Sequence, residues 1–70
     1  MRYQLFVFGY DHNGHNYQVS PQYNTVEGAL SALRDYQNSK FTPFMQITRA
    51  TITDYFELRG WQVYPKTGGP

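Results

Sequence analysis

The sequence has no cysteine, which excludes disulfide bonds and thiolate metal sites from all of its 70 residues. A chain of this length buries a small share of its surface, and its net stability is correspondingly small. Burial of apolar side chains therefore has to supply the folding free energy, and self-association is a second source of burial. We expect one small domain over residues 1–65 and a flexible tail over residues 66–70, whose sequence is Lys-Thr-Gly-Gly-Pro.

Charge is also scarce in this chain. The formal net charge is +1, from 6 Lys and Arg against 5 Asp and Glu, and no block of like charge occurs. A protein that holds duplex DNA mainly by neutralising phosphates carries a basic stripe, and a mimic of DNA is strongly acidic. The composition therefore disfavours both classes.

Long apolar runs are missing as well. No stretch approaches the length that crosses a bilayer, and the residues after Arg2 form a short strand-like run instead of the continuous apolar core of a signal peptide. We therefore expect no membrane association and a cytoplasmic location. The lack of cysteine fits the same compartment.

Few residues have the spacing that catalysis needs. There is no Gly-x-Ser-x-Gly motif and no glycine-rich phosphate loop. Asp54 and Glu57 are the nearest carboxylate pair, and Asp54 shares strand parity with Phe56 and Leu58, so burial of an inward Asp54 would raise its pKa. An Asp that starts a strand or lies at a bend is the simpler interpretation. We expect no enzymatic activity and no cofactor.

His12 and His15 are the only histidines, and they flank the dipeptide Asn13-Gly14. Two imidazoles that face each other across a hairpin can bind Zn²⁺ or Ni²⁺ when a third ligand is present. Asp11 is the nearest carboxylate, but it points to the other face in the predicted register. We therefore favour a solvated polar turn and expect no metal.

Aromatic side chains are abundant, with 7 Tyr, 5 Phe and 1 Trp making up 19% of the chain. Along a strand, successive side chains point to opposite faces. Both faces of the first strand are largely apolar, with Tyr3, Leu5 and Val7 on one and Gln4, Phe6, Phe8 and Tyr10 on the other. Because one helix can cover only one of them, the other is left over, and such a face is typical of a partner surface.

Asn13-Gly14 is the strongest local signal, since this pair favours a type I′ turn between two strands. It predicts a hairpin of residues 2–12 and 15–20. The predicted register pairs His12 with His15, Tyr10 with Tyr17, and Phe8 with Val19, all on one face. Gly9 in mid-strand indicates a bulge or the close approach of another backbone.

A helix is predicted after Pro21. Asn24 is a suitable N-cap, with Glu27 placed as in a capping box. An apolar stripe recurs at helical spacing and consists of Val26, Ala29, Leu30, Leu33 and Tyr36. Gly28 indicates close packing near the first turn, since glycine is otherwise unfavourable there. Residues 38–40 end the helix.

Residues 44–64 are strand-like, but the apolar positions change parity near Arg49 and Ala50, which predicts a turn or bulge there. A turn at Arg59-Gly60 would pair Leu58 with Trp61 and Phe56 with Val63, and would leave Tyr55 and Tyr64 outward. The predicted core is Leu30, Leu33, Ile47, Phe56, Leu58, Trp61 and Val63. The fold class is α+β, a small antiparallel sheet of four to five strands with one helix on one face, in the order ββαββ(β).

Exposed rings and basic residues are the candidate binding residues: Tyr10, His12, His15, Tyr17, Arg49, Tyr55, Arg59 and Tyr64. Tyr and Arg are typical of the centres of protein interfaces. Aromatic rings beside basic residues also stack the bases of single-stranded nucleic acid, which is the alternative function. A homodimer that buries the spare face is a third option.

The helix at residues 24–36 (NTVEGALSALRDY) and the closing segment at residues 54–64 (DYFELRGWQVY) give a layout that resembles small phage-encoded anti-CRISPR proteins. The resemblance lies in the architecture of one capped helix and a curled antiparallel sheet, and it transfers no functional residue. It implies a non-enzymatic inhibitor that occludes a host protein or ribonucleoprotein complex, in the host cytoplasm if a phage encodes the chain. The near-neutral charge departs from the acidic members that mimic nucleic acid, and this favours direct contact with protein.

Overall fold

A computed structural model describes residues 1–66 and shows an α+β fold. The elements in chain order are β1 (Tyr3–Asp11), β2 (Asn16–Val19), β3 (Gln22–Tyr23), α1 (Val26–Asn38), β4 (Phe44–Asp54) and β5 (Arg59–Tyr64). All the strands belong to one antiparallel sheet, which confirms the predicted fold class. The additional short strand, β3, precedes the helix. Of the predicted tail, residues 67–70 lie outside the described residues.

β1 is the centre of the sheet. The strand order is β2-β1-β4-β5, and β3 pairs with the start of β1 beside β2. α1 packs on one face, where the buried core consists of Leu5, Val7, Ala29, Leu33, Phe44, Ala50 and Ile52. Leu5, Val7 and Ile52 are 0% exposed, and burial of each such side chain contributes about 1.5–3 kcal/mol. The helix therefore covers the face of β1 that carries Leu5 and Val7.

The predicted core is wrong in three members. Leu30 is 36% exposed, Phe56 75% and Leu58 85%. Leu30 lies on the side of α1 away from the sheet, because Ala29 and Leu33 are the helix residues that enter the core. Phe56 and Leu58 belong to a loop and not to a strand. Leu33 is in the core as predicted, and Ile47, Trp61 and Val63 pack against it while partly exposed.

α1 begins one residue later than predicted. Thr25 is the N-cap instead of Asn24, and its hydroxyl oxygen accepts a 3.0 Å hydrogen bond from the backbone N–H of Gly28. Glu27 keeps a favourable place in the first turn. A Cβ on Gly28 would lie 3.1 Å from the Thr25 hydroxyl oxygen and 3.7 Å from the Tyr23 ring, which confirms the predicted close packing.

The register of the first hairpin differs from the prediction by one residue. Val7 pairs with Val19, Gly9 with Tyr17, and Tyr10 with Asn16. The turn is not type I′, which needs positive φ at both central residues, because only Gly14 has a positive φ, of 80°. The backbone N–H of Gly14 donates instead to the carbonyl of Asp11 over 3.1 Å, and the Asp11 N–H donates to the carbonyl of His15 over 2.8 Å.

The Asp11 side chain explains this longer turn. Its Oδ1 accepts hydrogen bonds of 2.9 Å from the backbone N–H groups of both Asn13 and His15. These bonds favour a loop that includes His12, which is why His12 does not pair with His15. The one-residue change also moves Tyr17 to the face covered by the helix.

The second hairpin also differs from the prediction. Asp54 pairs with Arg59, and Ile52 pairs with Trp61. The prediction of a turn at Arg59-Gly60 is therefore wrong, and residues 55–58 form the loop instead. The Asp54 carboxylate caps this loop, since its Oδ1 accepts from the N–H groups of Phe56 and Glu57 over 3.0 and 3.3 Å. β4 runs without interruption from residue 44 to this cap.

The predicted irregularity near Arg49 is a β-bulge. Phe8 pairs with Arg49, but the next residue, Gly9, pairs with Ile47, so that Thr48 is the extra residue. A Cβ on Gly9 would lie 2.1 Å from the backbone oxygen of Gln46 and 2.9 Å from Cδ1 of Phe44. Both features that Gly9 predicted, a bulge and the close approach of a backbone, are therefore confirmed.

We expect Gly9→Ala to lower the free energy of unfolding by about 3 kcal/mol, because the new methyl group would overlap a backbone oxygen that cannot move alone. Urea unfolding followed by circular dichroism measures this change. Ser31→Ala, at an exposed position of α1, is the control and should stay within about 0.5 kcal/mol of the wild type. A Gly9→Ala variant as stable as that control would contradict the packing described here.

Candidate interaction face

The sheet face opposite α1 has no cover among residues 1–66. Residues that pair directly across an antiparallel sheet share a face, so the register defines its members. We call it the open face, and its strand residues are Gln4, Phe6, Phe8, Tyr10, Asn16, Gln18, Gln22, Gln46, Arg49, Thr51, Thr53, Gly60 and Gln62. The predicted spare face of the first strand is therefore this one.

Aromatic rings form the centre of the open face. The rings of Phe6 and Phe8 have centroids 6.4 Å apart and planes 9° from parallel. The guanidinium carbon of Arg49, the cross-strand partner of Phe8, lies 4.6 Å from the Phe8 centroid. Tyr10, next along β1, is 43% exposed. We call Phe6, Phe8, Tyr10 and Arg49 the ring cluster, and its cation–π contact holds the guanidinium over a ring.

Amide and hydroxyl groups surround the ring cluster. Arg49 is the one cation among the strand residues of the open face, and none of those residues is a carboxylate. A surface depression of about 410 Å³ lies between β1, β2 and the bulge, and is lined by Phe8, Gly9, Tyr10, Asn16, Tyr17, Gln18 and Thr48. An apolar centre within a polar rim is the usual anatomy of a protein interface.

Tyr55 extends the open face beyond the end of β4. Its backbone N–H donates to the carbonyl of Arg2 over 2.9 Å, which continues the pairing of β1 with β4. Its hydroxyl group donates to Oε1 of Gln4, and its side chain is 47% exposed. Three of the predicted binding residues, Tyr10, Arg49 and Tyr55, therefore lie on one face.

The other predicted tyrosines lie on the helix side of the sheet. Tyr17 packs edge-on against Phe44 at a centroid distance of 5.4 Å, so the prediction that it shares a face with Tyr10 is wrong. Tyr64 pairs with Ala50 and packs partly buried against the core, so its predicted outward position is also wrong. The register shift between Ala50 and Thr51 causes this, since one extra residue reverses the later side chains.

Arg59, His12 and His15 are exposed but lie apart from the ring cluster. Arg59 begins β5, with its guanidinium carbon 6.0 Å from the centroid of Trp61. His12 lies in the first loop with Nε2 at 3.3 Å from the carbonyl oxygen of Thr42. The hydrogen bond that the backbone N–H of His15 donates to Asp11 is the main reason why the pKa of Asp11 lies below its ordinary value. No group of three His, Cys, Asp or Glu that could hold a metal ion occurs within residues 1–66.

Phe6 and Phe8 belong to the site but are not among the binding residues predicted from the sequence. Strand alternation placed both on the same face as Tyr10, and this was the available signal. Nothing in the pattern showed that α1 covers the other face. The pattern therefore predicts that the two rings are neighbours, but not that they stay partly exposed at the surface.

Asp54 lies at the far end of the sheet and is ion-paired. The Nε and Nη2 groups of Arg2 donate to its two carboxylate oxygens over 2.9 and 3.0 Å. Asp54 is only 2% exposed. The hydrogen bond from Arg2 is the main cause that lowers its pKa to about 2, although burial acts in the opposite direction. The expected inward position of Asp54 is therefore confirmed, but the expectation of a raised pKa is wrong, because the hydrogen bonds outweigh burial. Asp54 does not start a strand; it ends β4 at the turn that follows.

Comparison of the chain with family models, with curated proteins and with solved structures finds no match in any of the three. Within residues 1–66, no helix combines the length and the apolar character that a membrane crossing requires.

Acid should weaken the fold through Asp54. Its pKa is about 2 in the folded chain against 3.8 for an unperturbed Asp, so the ionised group stabilises the fold above that ordinary value. This contribution is lost as the pH falls through 3.8 towards 2. Asp54→Asn should be less stable than the wild type near neutral pH, and the difference should shrink in acid.

Urea midpoints at about pH 7 and about pH 2 measure this difference. Arg2→Met removes the partner and leaves the buried carboxylate unpaired, so it should also be less stable than the wild type near neutral pH, with a smaller difference in acid. A difference between Asp54→Asn and the wild type that stays constant across this range would contradict the assigned ion pair.

Proposed function

We propose that the protein is a non-catalytic protein-binding module that docks its partner on the open face. The ring cluster carries this proposal, because it places three aromatic rings and a guanidinium at the centre of a sheet face that no element of residues 1–66 covers. Tyr, Phe and Arg are enriched at protein interfaces, and Tyr and Arg supply much of the binding free energy. Binding would bury the rings and leave the amide groups to hydrogen-bond at the rim.

The charge of the chain favours a protein as the partner. With a net charge of +1 and one cation on the strands of the open face, phosphate contacts would be few. Rings, amides and hydroxyl groups suit a polar-rimmed protein surface better. The resemblance to anti-CRISPR proteins supports an inhibitor from a phage or mobile element that sterically occludes a host protein or ribonucleoprotein complex.

Single-stranded nucleic acid is the second candidate partner, and a specific observation favours it. The near-parallel rings of Phe6 and Phe8, with Arg49 over one of them, form a platform of the kind on which bases stack. The absence of carboxylates among the strand residues of the open face removes one source of repulsion. This candidate predicts an affinity that falls as salt rises.

The first test is the affinity for a purified partner. The chain is used as bait in host lysate, the retained protein is identified by mass spectrometry and purified, and Kd is measured. Combined Phe8→Ala and Tyr10→Ala substitutions should raise Kd about tenfold or more, because loss of a central interface residue costs about 2 kcal/mol.

Phe41→Ala is the control. Phe41 is 87% exposed and lies between α1 and β4, where it lines a different depression with Tyr23 and Tyr36. Circular dichroism verifies that each variant is folded. An equal effect of Phe41→Ala and of the combined Phe8→Ala and Tyr10→Ala substitutions on Kd, or no protein retained above background, would contradict docking on the open face.

The second test separates the two partner classes. Labelled oligothymidylate is titrated with the chain at two salt concentrations. We expect no saturable binding. If the chain binds the oligonucleotide, and this binding weakens with salt and is lost in Arg49→Gln, then single-stranded nucleic acid and not a protein is the partner. A light-scattering mass shows whether the chain forms a dimer, and a dimer that Phe8→Ala and Tyr10→Ala dissociate would place a second copy on the open face.

A further inference from the structure

The loop between β4 and β5 exposes two large apolar side chains. Phe56 is 75% exposed and Leu58 is 85% exposed. Glu57 lies between them and is also exposed. We call residues 56–58 the apolar tip. Leu58 is among the most exposed large apolar residues of the described chain. A polar residue ordinarily occupies such a loop position.

The apolar tip is held in place by the residues below it. The Asp54 carboxylate accepts from the backbone N–H groups of Phe56 and Glu57, and Arg2 holds that carboxylate with two hydrogen bonds. The guanidinium carbon of Arg2 also lies 4.8 Å from the centroid of the Phe56 ring. The loop is therefore preorganised, which lowers the entropic cost of binding through it.

Leu58 has an unfavourable backbone conformation. Its φ is 54°, and it is the one residue other than glycine with a positive φ within residues 1–66. Glycine or asparagine ordinarily takes this position, because a side chain with a Cβ is strained there. Leu58 is 85% exposed, so packing within the chain does little to offset this strain. Backbone strain without such compensation is typical of functional positions.

We propose that the apolar tip inserts into an apolar pocket of the partner protein, beside a Lys or Arg that pairs with Glu57. This inference rests on the proposed function and adds a second contact to the open face. Tyr55 joins the two surfaces, since it lies on the open face and immediately precedes Phe56. The partner would then contact the sheet and its end at the same time.

Charge identifies the occupant of the apolar tip as protein. The single ion pair within residues 1–66 joins Arg2 to Asp54, and Glu57 forms none, although the charge of Arg2 acts on it. The exposed carboxylate of Glu57 lies between the two apolar side chains, and it favours a cationic group on the occupant over the phosphates of nucleic acid or of an acidic lipid surface. Leu58 also has no ring on which a base could stack. A pocket with a cationic rim is the complementary surface.

The first experiment measures the strain. Leu58→Gly permits the positive φ without a Cβ, so it should raise the urea midpoint of the full chain above that of the wild type. Leu30→Gly, at an exposed position of α1, should lower it. A Leu58→Gly midpoint at or below the wild-type value would overturn the inference that Leu58 is kept at a cost to stability.

The second experiment locates the contact. A photo-reactive phenylalanine analogue replaces Phe8 or Phe56 in the full chain, and crosslinked proteins are identified by mass spectrometry. We expect one and the same protein from both positions. Crosslinking from position 8 alone would contradict insertion of the apolar tip into the partner but would agree with the proposed function. Crosslinking from position 56 alone overturns docking on the open face, and crosslinking from neither position overturns both.

The third experiment uses the crosslinked protein, purified. Leu58→Gly and Phe56→Ser should each raise Kd about tenfold, and Glu57→Lys should raise it most at low salt. Phe41→Ser is the matched apolar control, because Phe41 is 87% exposed on another loop. Asp35→Lys on α1 gives the same change in net charge as Glu57→Lys. Equal losses of affinity in the tip variants and their controls would overturn the inference.

Discussion

One helix covers one face of the sheet, and this limit determines which side chains meet water. α1 has 13 residues and lies over Leu5 and Val7 of β1. Small residues on that side, Ala29 and Ala50, are 0% exposed and let the helix approach the sheet closely. Because β1 is apolar on both faces, the rings on its other face remain at the surface. The open face is thus a direct consequence of having a single helix for a central strand with two apolar faces.

Two aspartates determine the loops at opposite ends of the sheet in the same way. Oδ1 of Asp11 accepts from the N–H groups of residues 13 and 15, and Oδ1 of Asp54 accepts from those of residues 56 and 57. Each carboxylate satisfies loop N–H groups that no strand pairs with. The first sets the register that separates Tyr10 from Tyr17. The second ends β4 and turns Phe56 outward, so side-chain capping determines which aromatic residues are available to a partner.

Local periodicity was sufficient to predict the α+β fold, the composition of both faces of β1, and the special role of Gly9. It was not sufficient for the register of either hairpin. Asn13-Gly14 favours a type I′ turn, but the bonds to Asp11 stabilise a longer loop. Phe56 and Leu58 continue the parity of Ile52 and were therefore expected in the core. The Asp54 carboxylate, which Arg2 holds from the other end of the chain, accepts a hydrogen bond from the backbone N–H of Phe56. This bond forms a loop, so Phe56 and Leu58 do not continue the strand.

The central claim is that the rings of Phe6 and Phe8 are partly exposed and that of Tyr10 is exposed in the isolated chain, while Leu5 and Val7 are buried beneath α1. Solution NMR of the dilute monomer with a soluble paramagnetic agent tests it most directly. The account predicts strong broadening of ring signals from Phe6, Phe8 and Tyr10, and little effect on the methyl groups of Leu5 and Val7. Ring signals as well protected as those methyl groups would contradict it, because the open face would then already be covered by the chain itself.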